Sequence, residues 1–161
     1  MVRLLRRVGA WVVYRVIRAY WWIRKPIVLG VRVLIFDKDR VLLVRHSYRE
    51  GWFLPGGTPE SGESLTATAR REAKEETGLV IQDLSLFGMY SELGSPASDH
   101  VAVFVASVPT NSVSDANFSA EIKEVRWVSS DKKPVSMIDQ TEQIIRDWKD
   151  GLMGQYRVLD Y

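Results

Sequence analysis

Two glutamates stand four residues apart on the stripe of a helix that should face the rest of the protein. The segment Ser64–Thr77 is helical in composition, with Ser64 placed to cap its start and Gly78 to end it. With Leu65 at zero on a helical wheel, Ala69, Glu72 and Glu76 fall within about 40° of it, and Ala73 near ~80°. Like charges at that spacing repel, and an unpaired buried carboxylate is costly. Glu75 flanks the pair, and Glu63 enters just before the helix. A hard divalent cation relieves such a cluster, because Mg²⁺ prefers oxygen ligands. The competing reading is an exposed helix, RREAKEETG, whose charges are solvated and whose Arg71–Glu75 pair is an ordinary surface contact.

The residues before the helix favour the first reading. Pro55-Gly56-Gly57 permits close backbone approach and offers bare N–H and C=O groups to a phosphate or a metal. Composition narrows the chemistry further. The chain has 0 Cys, which excludes a disulfide framework, thiolate-held zinc and a cysteine nucleophile. With 2 His, a histidine-rich metal site is also disfavoured, so carboxylates must hold any metal. The 161 residues, 46% apolar and 26% charged, suit one globular domain rather than a coiled coil, a collagen or a disordered chain. Zero Cys fits a cytoplasmic protein.

Charge divides the chain unevenly. Residues 1–36 hold 8 Lys and Arg and no Asp or Glu, so the body that follows is net acidic. The net charge of +2 therefore hides a basic arm, and no specific nucleic-acid binding is read into the body. Within residues 1–25, Arg3, Arg6, Arg7, Arg15, Arg18, Arg24 and Lys25 gather on one side of a wheel. Leu5, Val8, Val12, Val16, Ala19 and Ile23 gather on the other, with Trp11 and Trp22 at the border. That pattern predicts a basic amphipathic helix stopped by Pro26. It has no uncharged stretch near the ~20 residues of a bilayer span, and no secretory cleavage pattern. The arm is expected to pack on this chain or a second copy, or to lie peripherally on an anionic membrane. A cleaved organelle-targeting segment and nucleic-acid contact are the remaining readings.

Strands are expected at Val28–Phe36 and Val41–Arg45, joined by a turn at Asp37-Lys38-Asp39. Gly51–Gly57 is a short strand entering the glycine loop. Further strands are expected at Leu84–Ser91, Val101–Val108 and Val125–Val128, with a polar loop over Pro109–Ala120. Ser136–Lys149 is an amphipathic helix with Ile138, Ile144, Ile145 and Trp148 as its apolar set. One α/β domain over residues 26–161 follows, preceded by the arm over residues 1–25.

Gly57 to Leu79, GTPESGESLTATARREAKEETGL, resembles the Nudix box, G-x5-E-x7-R-E-U-x-E-E-x-G-U, where U is bulky or aliphatic. Gly57, Glu63, Arg71, Glu72, Glu75, Glu76, Gly78 and Leu79 match, while Ala73 is small for its U position. The flanking hairpin, GWFLPGG, EVRWV and C-terminal helix are also similar to the family. The resemblance implies an α/β/α sandwich around a mixed sheet. It implies hydrolysis of a diphosphate linked to another moiety, typically a nucleoside, with Mg²⁺ or Mn²⁺. It makes Glu72, Glu75 and Glu76 metal ligands, with the Gly56 carbonyl as a further one. It makes Glu63 a supporting residue, and Arg71 the group that orients the glutamates by a salt bridge.

Other assignments are looser. The general base implied by the resemblance is a box glutamate or one from a later loop, and Glu121, after the polar loop, is the leading candidate, with Glu124 as the alternative. Arg45 and Gly57 are candidate substrate-phosphate contacts, and Trp52 or Tyr48 a base-stacking ring; each also reads as ordinary surface or core. His46 reads as a polar surface residue. Pro96 lies one residue late for the proline associated with ADP-ribose hydrolysis. The substrate expected is a small nucleotide: a nucleoside diphosphate derivative, or alternatively a nucleoside triphosphate, including an oxidised one. A Nudix-fold nucleotide sensor without catalysis is the rival from another class.

Overall fold

The chain's first hairpin opens as it leaves its turn. In the computed structural model, which describes residues 13–17, 19–20, 27–93, 98–109, 119–132, 134 and 136–159, strands β1 (Ile27–Asp37) and β2 (Arg40–His46) are antiparallel. They pair directly only near the turn, Phe36 with Val41 and Asp37 with Arg40. The residues Phe53 to Gly57 fill the gap beyond. Val44 and Phe53 exchange backbone hydrogen bonds at 2.9 Å, Val33 N–H donates to the Pro55 carbonyl at 2.8 Å, and Val31 N–H donates to the Gly57 carbonyl at 2.8 Å. The glycine loop is thereby tied directly to the middle of the sheet.

Helix α1 (Leu65–Thr77) leaves that loop as its caps direct. Ser64 Oγ accepts from Ala67 N–H at 3.2 Å, and Gly78, at φ 75°, donates its N–H to the Lys74 carbonyl at 2.9 Å. Four more strands and one helix follow: β3 (Ser85–Glu92), β4 (Ser98–Ser107), β5 (Ile122–Ser129), α2 (Asp139–Lys149) and β6 (Gln155–Leu159). The sheet order is β5-β2-β1-β4-β3-β6. Strands β1 and β4 are parallel, as are β3 and β6, and the other neighbours are antiparallel. The sheet is mixed, as expected.

Each face carries its own core. Val31, Val33, Ile35, Leu42, Ala102 and Phe104 pack with Ala69 and Ala73 of α1. Leu34, Val41, Leu43, Tyr90 and Val103 pack with Ile144 and Ile145 of α2. The result is three layers, α/β/α. Small alanines let α1 lie close to the sheet, which carries Glu72 and Glu76 inward with them. On the other face, buried Asp147 anchors α2: Tyr90 Oη donates to its Oδ2 at 2.8 Å, Gln143 Nε2 to its Oδ1 at 2.9 Å, and Arg157 Nε lies 2.6 Å from Oδ2.

Two features depart from expectation. Strand β6 was not foreseen; its five residues, QYRVL, pair parallel with β3, and only Leu159 is buried. Helix α2 begins at Asp139, because Ser136 takes φ 78° and its carbonyl accepts from Trp52 N–H at 3.0 Å. In the arm, residues 13–17 and 19–20 are helical, and Val16 and Ala19 of the apolar stripe are exposed on the single chain. Contact with the domain is made by Tyr14, whose ring lies 5.5 Å from that of Tyr48. Leu5, Val8, Trp11, Val12, Trp22, Ile23, Pro26 and Pro96 lie outside the described residues, as does most of the loop before Ala120. Among the described residues no helix is long and apolar enough to cross a membrane.

Candidate active site

One arginine organises the acidic cluster. Arg71 Nε donates to Glu63 Oε1 at 3.0 Å and Arg71 Nη2 to Glu63 Oε2 at 3.0 Å, a two-pronged grip. Its Nη1 donates to Glu72 Oε1 at 2.8 Å and to Glu75 Oε2 at 3.3 Å, and Nη2 also reaches the Thr58 carbonyl at 3.2 Å. Arg71 thus joins the box glutamates to the loop that precedes them. Bonded by Arg71, the Glu60 backbone and Thr68, Glu63 has its carboxyl held down at about 2. The same contacts push the Arg71 guanidinium further up.

Glu76 is different. It is buried, and Gly56 N–H donates to its Oε2 at 2.8 Å. Its Oε1 faces His46 Nδ1 at 3.8 Å, too far for a hydrogen bond. Burial, outweighing the Gly56 hydrogen bond and the Arg32 charge, pushes the Glu76 carboxyl up to about 8. Burial also raises Glu72, against the pull of Arg71. A buried carboxyl with no ion pair to Lys or Arg among the described residues is the feature a hard cation would satisfy.

The donor chemistry fits Mg²⁺ or Mn²⁺: Glu72, Glu75 and Glu76 are hard oxygen donors on one helix, a turn or less apart. Among the described residues these groups are not drawn together into a ready-made cage. Arg71 bonds Glu72 through Oε1 and Glu75 through Oε2, so a cation would take the other oxygen of each carboxylate or share these with the guanidinium.

The glycines are spent on close approach. A Cβ on Gly56, which has φ 152°, would run into the Val31 carbonyl oxygen and lie 2.9 Å from Arg32 Cα. A Cβ on Gly57 would lie 2.6 Å from Glu72 Cδ. The Gly57 carbonyl is bonded to β1, and the Gly56 N–H is given to Glu76.

The remaining candidates divide. Glu121 reaches the site: its backbone carbonyl accepts from Ser47 N–H at 2.7 Å, and its charge acts on both Tyr48 and Glu76. Glu124 is engaged elsewhere, paired with Arg45 at 3.8 Å and with Arg126. Arg45 is therefore held across the β2–β5 pair. Trp52 is a core residue, 4% exposed, with the Arg126 guanidinium over its ring.

His46 was misread as surface. Its side chain is 9% exposed, wedged between Tyr48 and Phe53 with ring centroids 5.2 Å from each. Burial first, then the charges of Arg32 and Arg49, lowers it to about 4, so it is neutral beside Glu76 at pH 7. Arg32 was missed altogether, although its charge acts on Glu72, Glu76, His46 and Asp99. The signal was present: an arginine interrupts the apolar strand VLGVRVLIF. Arg49, over the Phe53 ring at 4.6 Å, had no comparable local signal.

The chain is similar to known proteins. The NUDIX domain family profile matches residues 26–148. An ADP-ribose pyrophosphatase of Methanocaldococcus jannaschii is 32% identical over 126 residues, covering 73% of this chain and 72% of that protein. A putative 8-oxo-dGTP diphosphatase of Bacillus subtilis is 29% identical over 119 residues, covering 74% of this chain and 77% of that protein. The solved structure of a Nudix hydrolase from Nitrosomonas europaea superposes with a TM-score of 0.70 at 25% identity, covering 79% of this chain and 91% of that one. With the box residues clustered about Arg71 and the profile spanning most of the sequence, the chain belongs to the Nudix hydrolase family.

Proposed function

We propose that this hydrolase cleaves the phosphoanhydride of a nucleoside diphosphate linked to another moiety, using Mg²⁺ or Mn²⁺ held by Glu72, Glu75 and Glu76. The observation that carries this reading is Glu76: a buried carboxylate bonded by one backbone N–H, beside Glu72 on the same helix. The metal, when bound, neutralises the diphosphate and acidifies an attacking water. The chain's own residues hold and orient. Arg71 fixes Glu72 and Glu75 against Glu63, and Gly56 fixes Glu76 while its carbonyl adds a further oxygen ligand. Gly57 brings the loop backbone to the substrate phosphates, and Arg45 serves them only when released from Glu124. Glu121 acts as base: it takes the proton of the water as the new P–O bond forms and the bridging P–O bond breaks. Its proximity to Glu76, and the ion pairs that occupy Glu124, support that choice. Zero Cys accords with attack by water rather than by a cysteine thiolate, and with a cytoplasmic setting.

A nucleoside triphosphate, including an oxidised one, is the second reading, favoured by similarity to the putative 8-oxo-dGTP diphosphatase. The test is product release from ADP-ribose, nucleotide sugars, dGTP and 8-oxo-dGTP, with Mg²⁺ and with chelator. Metal-dependent cleavage of the diphosphate-linked compounds is expected. Tight binding without turnover of any compound would instead identify a sensor.

A further inference from the structure

Four side chains of the N-terminal helix face solvent together. Val13, Val16, Ile17 and Tyr20 are 57%, 63%, 42% and 57% exposed. Their spacing, i, i+3, i+4 and i+7, collects them in one helical stripe. Tyr14 projects about 100° away from Val13 and meets Tyr48 of the domain. The helix therefore touches the domain by its Tyr14 side and presents its apolar stripe outward. Single exposed apolar residues are ordinary, but an ordered helical stripe of them is an unfilled contact.

The charge around the stripe indicates what fills it. Residues 1–25 carry Arg3, Arg6, Arg7, Arg15, Arg18, Arg24 and Lys25 and no acidic residue. We propose that the stripe lies on an anionic bilayer surface, with Val13, Val16, Ile17 and Tyr20 entering the boundary between headgroups and acyl chains and the basic residues of the arm meeting lipid phosphates. A second copy fits less well. Its arm brings the same positive charge, which opposes face-to-face pairing of the two stripes. A nucleic acid would pair with the arginines yet leave the aliphatic stripe in water. Among the described residues no helix is long and apolar enough to cross a bilayer, and an apolar stripe along one side of a basic helix suits the plane of the surface.

The orientation has a consequence for the site. Tyr48, which Tyr14 touches, lies 5.2 Å from His46, and His46 borders Glu76. A helix seated on the bilayer holds that rim of the site near the headgroups. The proposal does not rest on the hydrolase reading, since binding is measured without turnover.

The experiment is cosedimentation of the full chain with vesicles of phosphatidylcholine alone and of phosphatidylcholine with about a third phosphatidylserine, at low and high salt. Pelleting is expected with the phosphatidylserine vesicles at low salt, falling about tenfold or more in high salt and on phosphatidylcholine alone. Replacing both Val16→Glu and Ile17→Glu should lower binding at least about tenfold. Because both residues are exposed, the circular dichroism spectrum and nucleotide turnover of that variant should stay as in wild type. Failure of the wild type to pellet at low salt overturns the proposal, as does equal pelleting of the double variant. Without vesicle binding, a dimer on size exclusion that the double variant dissolves assigns the stripe to a second copy. Retention of RNA without vesicle binding assigns the arm to nucleic acid.

Discussion

Gly57 backs directly onto the Glu72 carboxylate, so closely that a Cβ at position 57 would lie 2.6 Å from Glu72 Cδ. The Glu72 end is flexible and can swing away. Gly57→Ala should therefore misplace Glu72 and lower kcat by about tenfold to a hundredfold, with little change in Tm. Gly56→Ala differs in kind. Its φ of 152° disfavours a side chain, and the obstacle is fixed strand backbone, the Val31 carbonyl oxygen first and then Arg32 Cα at 2.9 Å. It should cost about 1–3 kcal/mol of stability. Thermal melts and kcat of both variants check the contrast; equal loss of stability would show that Gly57 is a fold residue.

Arg71 acts through others. Its fork holds Glu63, Glu72 and Glu75 at once. Arg71→Ala should lower kcat about 10–100-fold, the usual effect of losing a group that orients metal ligands. Arg71→Lys should rescue poorly, because a point charge cannot reproduce the two-pronged grip. Steady-state kinetics with varied Mg²⁺ checks both. Wild-type turnover in Arg71→Ala would reduce the cluster to surface pairing.

Glu76 predicts a pH dependence of stability without metal. Its folded pKa of about 8 lies above the ordinary 4.5. Between those values the native state keeps a proton that the unfolded chain releases, so stability falls as pH rises. His46 works in the opposite sense. Lowered from 6.5 to about 4, it makes stability rise with pH across that window. The two oppose each other below pH 6.5, and Glu76 acts without that opposition from there to about 8. In chelator, Tm should fall from pH 6.5 to 8, and Glu76→Gln should make the slope shallower. Mg²⁺ should raise Tm more at pH 8 than at 6.5, because the carboxylate form binds it. Glu76→Gln should also lower kcat by roughly a hundredfold or more. Parallel melting slopes in wild type and variant would contradict the assignment.

Glu121 as base predicts a signature of its own. Glu121→Gln should lower kcat, and the deficit should narrow as pH rises and hydroxide substitutes. Mg²⁺ affinity should hardly move. A variant with wild-type kcat at pH 7 would return the role to a box glutamate.

What the sequence determined by itself is local. Ser64 and Gly78 set the ends of α1, since capping and left-handed backbone are decided within one turn of helix. The wheel that carried Glu72 and Glu76 inward beside Ala69 and Ala73 was legible because helical periodicity follows from residue order. The box spacing made the family legible for the same reason. The tertiary structure decided what long-range pairing controls. β1 and β2 separate to admit Phe53–Gly57, which ties Gly56 and Gly57 to β1 beside Glu72 and Glu76. The fold also buries His46 between Tyr48 and Phe53 and sets Arg32 to act on it, and no period of 2.0 or 3.6 encodes that convergence. Strand β6 exists because the edge of β3 offers it backbone partners, while only one of its own residues, Leu159, is buried. The arm shows the limit most plainly. Its amphipathic composition was evident, but which face turns outward was settled by Tyr14 meeting Tyr48, a contact between residues 34 positions apart in the chain.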